Sequence, residues 1–212
     1  MSIAPKIDPD EAKVVLDLLV SIERDGAQSQ RRLAQDIGVA LGLVNAYLKR
    51  CINKGLVKVR QVPARRYAYY LTSKGFAEKS RLTVSYLSHS LEFFRRSKAD
   101  CGAVLAEARM RGFRRIALAG RSDLAEICII CGIEHGANIV MVVDPDIKAE
   151  QFVGVHVVQS FDAAAGEVDA VVVTDLHHSR KTLELARKYF DRGRVLVPSL
   201  LNLHADRTGA DE

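Results

Sequence analysis

The chain has 212 residues, of which 48% are hydrophobic and none is Trp, and its formal net charge is +5. That length admits one large domain or two small ones, and the hydrophobic share suffices for real cores. No apolar run reaches the length of a membrane span, MSIAPKIDPDEAK carries no apolar signal core, and the four cysteines form no even ladder, so the expectation is a cytoplasmic protein with no membrane partner.

The charge is unevenly placed. Residues 1–112 hold 20 Lys and Arg against 11 Asp and Glu, a balance of +9, whereas residues 113–212 hold 11 against 15, a balance of −4. A basic half joined to an acidic half suggests a polyanion-binding module attached to something else. Chance variation between two solvated surfaces is the plainer alternative.

In chain order, Asp8-Pro9-Asp10-Glu11 supplies a cap, a proline and first-turn carboxylates for a helix. Val14, Val15, Leu18, Leu19 and Ile22 repeat at helical spacing to Arg24, and Asp25-Gly26 ends the run. The stretch Ser29 to Val57 then reads as helix, tight turn, helix. Leu33, Ala34 and Ile37 line one face of its first helix, and Gly38 permits the turn. The second helix is expected to bury Leu41, Val44, Leu48, Cys51 and Ile52. Its other face carries Gly42, Asn45, Ala46, Lys49 and Arg50. An amide and small side chains followed by cations suit a major groove: Asn bonds adenine bidentately, and Lys or Arg reach guanine or phosphate. An ordinary helical hairpin with a solvated face is the alternative.

Leu56 to Arg60 and Tyr67 to Leu71 are rich in β-formers and flank Gln61-Val62-Pro63-Ala64-Arg65-Arg66. Three helices followed by a hairpin make a winged helix-turn-helix, in which Arg60, Arg65 and Arg66 would meet phosphates or the minor groove of double-stranded DNA. A merely solvated turn would also be polar. The stretches SQRRLAQDIGVALGLVNAYLKRCINKGLVKV and YAYYLTSKGFAEKSRLTVSYL, within residues 29 to about 98, resemble MarR-like winged-helix regulators associated with bacterial exopolysaccharide gene clusters. That resemblance implies a DNA-binding transcription regulator, possible control of polysaccharide genes included.

Thr72 to Ser97 reads as a long helix with Phe76, Val84, Leu87, Leu91 and Phe94 roughly along one stripe, followed by a second helical stretch, Ala99 to Met110. A striped helix after a wing suits homodimerisation, because two-fold DNA sites suit a two-fold protein. Packing on its own domain is the alternative.

From Phe113 strands alternate with helices. Arg115 to Ala119, Asn138 to Val143, Val155 to Val158, Asp169 to Thr174 and Val195 to Val197 read as strands, and Asp123 to His135 and Ser179 to Asp191 as helices. This implies a parallel sheet of Rossmann type, which binds ligands at the carboxyl ends of its strands. The fold class is therefore an α+β winged helix-turn-helix domain (residues 1–71), a helical linker or dimerisation segment (72–111) and an α/β Rossmann-like domain (112–212).

The carboxyl-end rule selects Gly120-Arg121-Ser122-Asp123, Asp144-Pro145-Asp146 and Asp175-Leu176-His177-His178. Gly120, Arg121, Ser122, Asp144 and His177 are the candidate ligand residues, with Asp144 where a ribose-binding acid is expected. The glycine fingerprint keeps only its first glycine. Asp123 with Glu126 is read as a capping box, whose carboxylate would sit where a pyrophosphate wants bare amides. A ligand-free structural sheet is the alternative.

IALAGRSDLAEI, IVMVVDPD, FVGVHVVQSFDAA, DAVVVTD and RVLVPSL resemble the N-terminal Rossmann-like domain of bacterial sugar acyltransferases, which implies a nucleotide-sugar ligand. The order of winged helix and Rossmann domain also resembles the redox-sensing Rex repressors, which implies NAD(H). Cys128, Cys131 and His135 invite a zinc reading, but their helical spacing beside Leu124 and Ile127 reads as buried structural cysteine. His177 and His178 beside Asp175 have no nucleophile fixed by spacing. The resulting expectation is a homodimeric DNA-binding transcription regulator, not an enzyme, responsive to a small nucleotide-containing effector such as a nucleotide-sugar or NAD(H). The alternatives are a nucleotide-sugar or NAD(H)-dependent enzyme with a DNA-binding appendage, and a regulator whose sheet only mediates assembly.

Overall fold

A computed structural model describes residues 9–62, 66–146 and 149–203. The chain divides into two units, Met1–Leu91 and Glu92–Glu212. The first begins with α1 (Pro9–Arg24), α2 (Gln30–Ile37) and α3 (Leu41–Asn53). Ser29 caps α2 by accepting from the Arg32 amide, and Gly38 closes it at φ 75°, a left-handed conformation that glycine adopts without Cβ strain. α3 starts at Ala40 with no side-chain cap. The hairpin strands β1 (Val57–Val62) and β2 (Arg66–Leu71) follow, paired antiparallel from Val57↔Leu71 to Val62↔Arg66.

The core of this unit joins Leu18, Leu19 and Ile22 of α1, Leu33 of α2, Val44 and Leu48 of α3, and Val57 and Tyr69 of the wing. Two expectations about α3 are corrected. Leu41 is exposed and Ile52 only half-buried, whereas Tyr47 joins the core. For Ile52 and Tyr47 the reason is angular. At 100° per residue Tyr47 lies about 60° to one side of Val44 and Ile52 about 80° to the other, and the buried stripe is centred on Val44 and Cys51.

The two helical stretches expected between residues 72 and 110 are one helix, α4 (Ser73–Met110). Phe76, Val84, Leu87, Leu91 and Phe94 are all exposed on it.

The second unit is built on a six-stranded sheet. Its strands are β3 (Arg115–Ala119), β4 (Asn138–Val143), β5 (Gln151–Phe152), β6 (Val155–Val158), β7 (Ala170–Val173) and β8 (Val195–Leu196), and their spatial order is β5-β6-β4-β3-β7-β8. All neighbours run parallel except β5 with β6. The helices are α5 (Asp123–His135), α6 (Phe161–Ala165) and α7 (Ser179–Tyr189). One apolar layer packs Leu105 of α4 and Leu124 and Cys128 of α5 onto Ile116, Leu118, Val142 and Val172. The other packs Phe161 of α6 and Leu183 and Ala186 of α7 onto Ala117, Ala119, Val143 and Val173. Burial on both faces explains the near-continuous apolar strands. The fold is thus a winged helix-turn-helix followed by an α/β domain with a mostly parallel sheet. The order of β6, β4, β3, β7 and β8 reverses between β3 and β7, which places the switch point at the ends of those two strands.

Candidate functional site

At the carboxyl edge of the sheet the three selected loops come together. The Gly120 amide donates to the Val143 carbonyl at 2.9 Å, the Thr174 hydroxyl donates to the Gly120 carbonyl at 2.6 Å, and the Asp175 amide donates to the Ala119 carbonyl at 3.0 Å. Gly120 has φ 95°, and a Cβ built on it would lie 2.4 Å from the Cβ of Asp175. The glycine is therefore required by both its backbone conformation and the close approach of β7.

Asp144 accepts the Arg121 amide at 3.0 Å and the Asp146 amide at 3.1 Å, so its carboxylate bridges the ends of β3 and β4. The Arg121 guanidinium lies 5.8 Å from the Phe152 ring centroid. The capping-box expectation for Asp123 is corrected: the N-cap of α5 is Ser122, one residue earlier. Its hydroxyl accepts from the Leu124 amide at 3.1 Å and the Ala125 amide at 3.4 Å, and donates to the Thr174 carbonyl. Asp123 and Glu126 both stand in the first turn. A pyrophosphate would meet amides already bonded and two carboxylates, which cancels the attraction of the helix dipole. Both expected effectors, a nucleotide-sugar and NAD(H), carry a diphosphate, which would meet this turn beside the exposed Arg121 side chain.

His177 is exposed, and its amide donates to Asp175 Oδ1 at 2.9 Å; the His178 amide does the same at 2.8 Å. Asp175 Oδ2 accepts from the Thr182 hydroxyl at 2.8 Å. Burial alone would raise the Asp175 carboxyl, but the bonds from His178, Thr182 and His177 outweigh it and hold it below its ordinary range. Sequence reasoning placed Asp175 in the loop without assigning it a task. The signal was its position at the switch-point strand end, two and three residues before the amides it binds.

Cys128 and Cys131 are buried, and burial followed by the neighbouring Cys101 and Glu134 pushes the Cys131 thiol up to about 11. A neutral buried thiol is a poor metal ligand. Among the described residues no group of three His, Cys, Asp or Glu is placed to hold a metal ion.

On the winged helix, Gly42, Asn45, Ala46 and Lys49 share the exposed side of α3. Arg50 is also exposed, but its guanidinium pairs with Glu11 at 3.3 Å. Arg60 is exposed on β1 together with Lys58, which sequence reasoning passed over although its charge and strand alternation matched those of Arg60. Arg65 lies outside the described residues, and for Arg66 the structure describes the strand position alone. Among the described residues no helix is long and apolar enough to cross a membrane.

Residues 13–58 match the model of a family described as winged helix-turn-helix DNA-binding. No match was found among curated proteins. Among solved structures, human N-acetylserotonin methyltransferase in complex with SAM aligns at 15% identity and a TM-score of 0.36, over 89% of this chain and 74% of that one. An O-methyltransferase from neocarzinostatin biosynthesis in complex with S-adenosyl-L-homocysteine aligns at 14% identity and a TM-score of 0.37, over 89% and 81%. PigF with SAH aligns at 12% and 0.31, over 77% and 63%. Two expectations are corrected here. The solved structures found over most of the chain include methyltransferases, so neither the transcription-regulator reading nor its exclusion of an enzyme is retained. Likeness at this level carries no reaction, substrate or cofactor over to this chain.

Proposed function

We propose that the chain is an enzyme whose α/β domain holds a nucleoside-bearing cofactor without phosphate groups, with the winged helix as a DNA-binding attachment. The observation that carries this reading is the first turn of α5. Its Leu124 and Ala125 amides are taken by Ser122, and Asp123, Glu126, Asp144 and Asp175 outnumber Arg121 at the surrounding strand ends. Such an edge disfavours a diphosphate and favours a neutral or cationic ligand. Asp144 keeps acceptor capacity beyond the two amides it binds, and that capacity suits ribose hydroxyls. S-adenosyl-L-methionine has this chemistry: a ribose, a purine, a sulfonium cation and no phosphate. His177 stands exposed at the same edge as a proton acceptor for a group-transfer step.

In the winged helix, Asn45 would read a base edge, with Lys49, Lys58 and Arg60 on phosphates. The likeness of residues 29 to 98 to MarR-like proteins is taken as a likeness of this module alone. The exposed residues Val84, Leu87, Leu91 and Phe94 are spaced by 3, 4 and 3, a self-complementary heptad seam that suits pairing with a second copy.

Thermal denaturation of the full chain tests the cofactor class. S-adenosyl-L-homocysteine is expected to raise the melting temperature through mass action, and Asp144→Ala to abolish the rise. NADH and UDP-glucose should leave it unchanged. A rise with either diphosphate, or none with S-adenosyl-L-homocysteine, overturns the reading. Catalysis is read separately, as S-adenosyl-L-homocysteine released from S-adenosyl-L-methionine in a mixture of small hydroxylated acceptors, faster with the native chain than with Asp144→Ala.

A further inference from the structure

The opposite edge of the sheet carries a second concavity. A cleft of about 580 Å³ opens where α4 ends and β3 and β4 begin, and Leu105, Arg109, Phe113, Arg114, His135 and Asn138 are among its lining residues. Its volume lies within the range of small-molecule sites, roughly 300–1,000 Å³. Arg115 of β3 pairs with Asn138 of β4 at this end, whereas Gly120 and Asp144 follow the far ends of the same strands. A strand of five residues separates the two places by about 15 Å.

The charges of this cleft are unbalanced. Arg109 and Arg114 are exposed, and among the described residues no acidic side chain bonds either guanidinium. Their neighbours are engaged. Arg111 pairs with Glu107 at 3.1 Å and bonds the Gly193 carbonyl, and Arg115 pairs with Glu167 at 3.0 Å. Among the described residues no Asp or Glu lines the cleft, and it is the Arg114 backbone amide, rather than the guanidinium, that donates to Asp169, at 2.7 Å. The carbonyl ends of α4 and α5 lie here and oppose an anion, each with about half a negative charge. Part of that is already answered, since the Phe113 amide bonds the Ala108 carbonyl and the Ala137 amide bonds the Gly132 carbonyl. Two unpaired guanidinium groups outweigh the remainder. The accessible floor is apolar: exposed Ala106 and half-buried Phe113 and Ala137 line it, over the buried core residues Leu105 and Ile116.

We propose that this cleft is a second binding site, for a small organic anion whose carboxylate or phosphate is held by Arg109 and Arg114 while its apolar body lies on Ala106, Phe113 and Ala137. The forked donors of arginine match the planar or tetrahedral oxygens of such groups, and the apolar floor selects against a bare inorganic ion. The site is independent of the nucleoside reading of the other edge.

Isothermal titration of the full chain with phenyl phosphate, at low ionic strength, tests it. One molecule should bind per chain, at least tenfold more tightly than inorganic phosphate or phenol. Arg109→Gln combined with Arg114→Gln should weaken it at least tenfold. Both side chains are exposed, so the fold should survive, and circular dichroism checks this. The same loss of charge on α7, Lys181→Gln with Lys188→Gln, should leave binding unchanged. Phenyl phosphate binding that is absent, that survives the double arginine substitution, or that is matched by inorganic phosphate overturns the proposal.

Discussion

The carboxylate of Asp175 accepts two amides and a hydroxyl at 2.8–2.9 Å, and these bonds form the loop that follows β7. Because its pKa in the folded chain is depressed, its stabilising effect is fully present above the unfolded value of about 3.9 and is lost as pH falls through the folded value. Asp175→Asn should therefore lower stability at neutral pH by about 1–3 kcal/mol, the scale of bonds to a charged acceptor. The deficit should shrink at pH 3, below the unfolded value, where the unfolded chain binds the proton more readily than the folded one. Denaturant titrations of both proteins at pH 7 and pH 3 check this, and a deficit independent of pH would show that the charge is not what matters. Gly120 is constrained differently. Its alanine variant would combine left-handed strain with a Cβ 2.8 Å from the Asp175 Cα, a cost of roughly 3 kcal/mol. The same titrations read it out. An unchanged midpoint would mean that β3 and β7 separate freely at this edge.

At the scale of elements, what was legible in the sequence depended on length. α1, α2, α5 and β3 had enough periodic or apolar residues to be placed to within a residue, and Gly38 marked the end of α2, where it is a left-handed cap. α6 and β5 were not foreseen. FDAAA is barely one turn and QF is two residues, too short for either period to register. The cap of α5 was misplaced by one residue because Ser122 and Asp123 are both good cap residues, and it is the Ser122 hydroxyl that takes the Leu124 and Ala125 amides while it bonds the Thr174 carbonyl. Of the candidate ligand site, the strand-end loops were legible because parallel order dictates them. The closure of the α5 amides was not, because it depends on a side-chain rotamer. The stripe on α4 was legible as apolar, but its exposure was not. Val84 is 64% exposed and Leu87 54%, more than a lone surface helix leaves in water without reason. Leu87→Glu with Leu91→Glu should therefore lower self-association at least tenfold in sedimentation equilibrium, without loss of helicity. A native chain that sediments as a monomer at tens of micromolar would end the pairing interpretation.

At the scale of the whole molecule, the charge division decides where a polyanion can go. The +9 balance of residues 1–112 includes Lys49, Lys58 and Arg60 on exposed positions of the winged helix, while the −4 balance of residues 113–212 includes the carboxylates at the sheet's carboxyl edge. Affinity for DNA should therefore follow the cations of the winged helix rather than the net charge of +5. Each phosphate contact releases condensed counterions and steepens the logarithmic salt dependence by about 0.9. Lys49→Ala and Arg60→Ala should each flatten that slope by about one contact and weaken binding to all duplexes alike. Asn45→Ala should leave the slope unchanged and reduce discrimination between sequences by about 1–3 kcal/mol, the worth of a bidentate base contact. Arg50→Ala separates the two roles. Its guanidinium is paired with Glu11, so the slope should change by less than for Lys49→Ala. Fluorescence anisotropy of the intact chain on a selected duplex and on a scrambled one, across a salt series, measures all four variants. A slope that Lys49→Ala and Arg60→Ala leave untouched would place the DNA away from α3 and the wing. An Asn45→Ala chain that discriminates as well as the native one would mean that the groove-facing side of α3 reads no base.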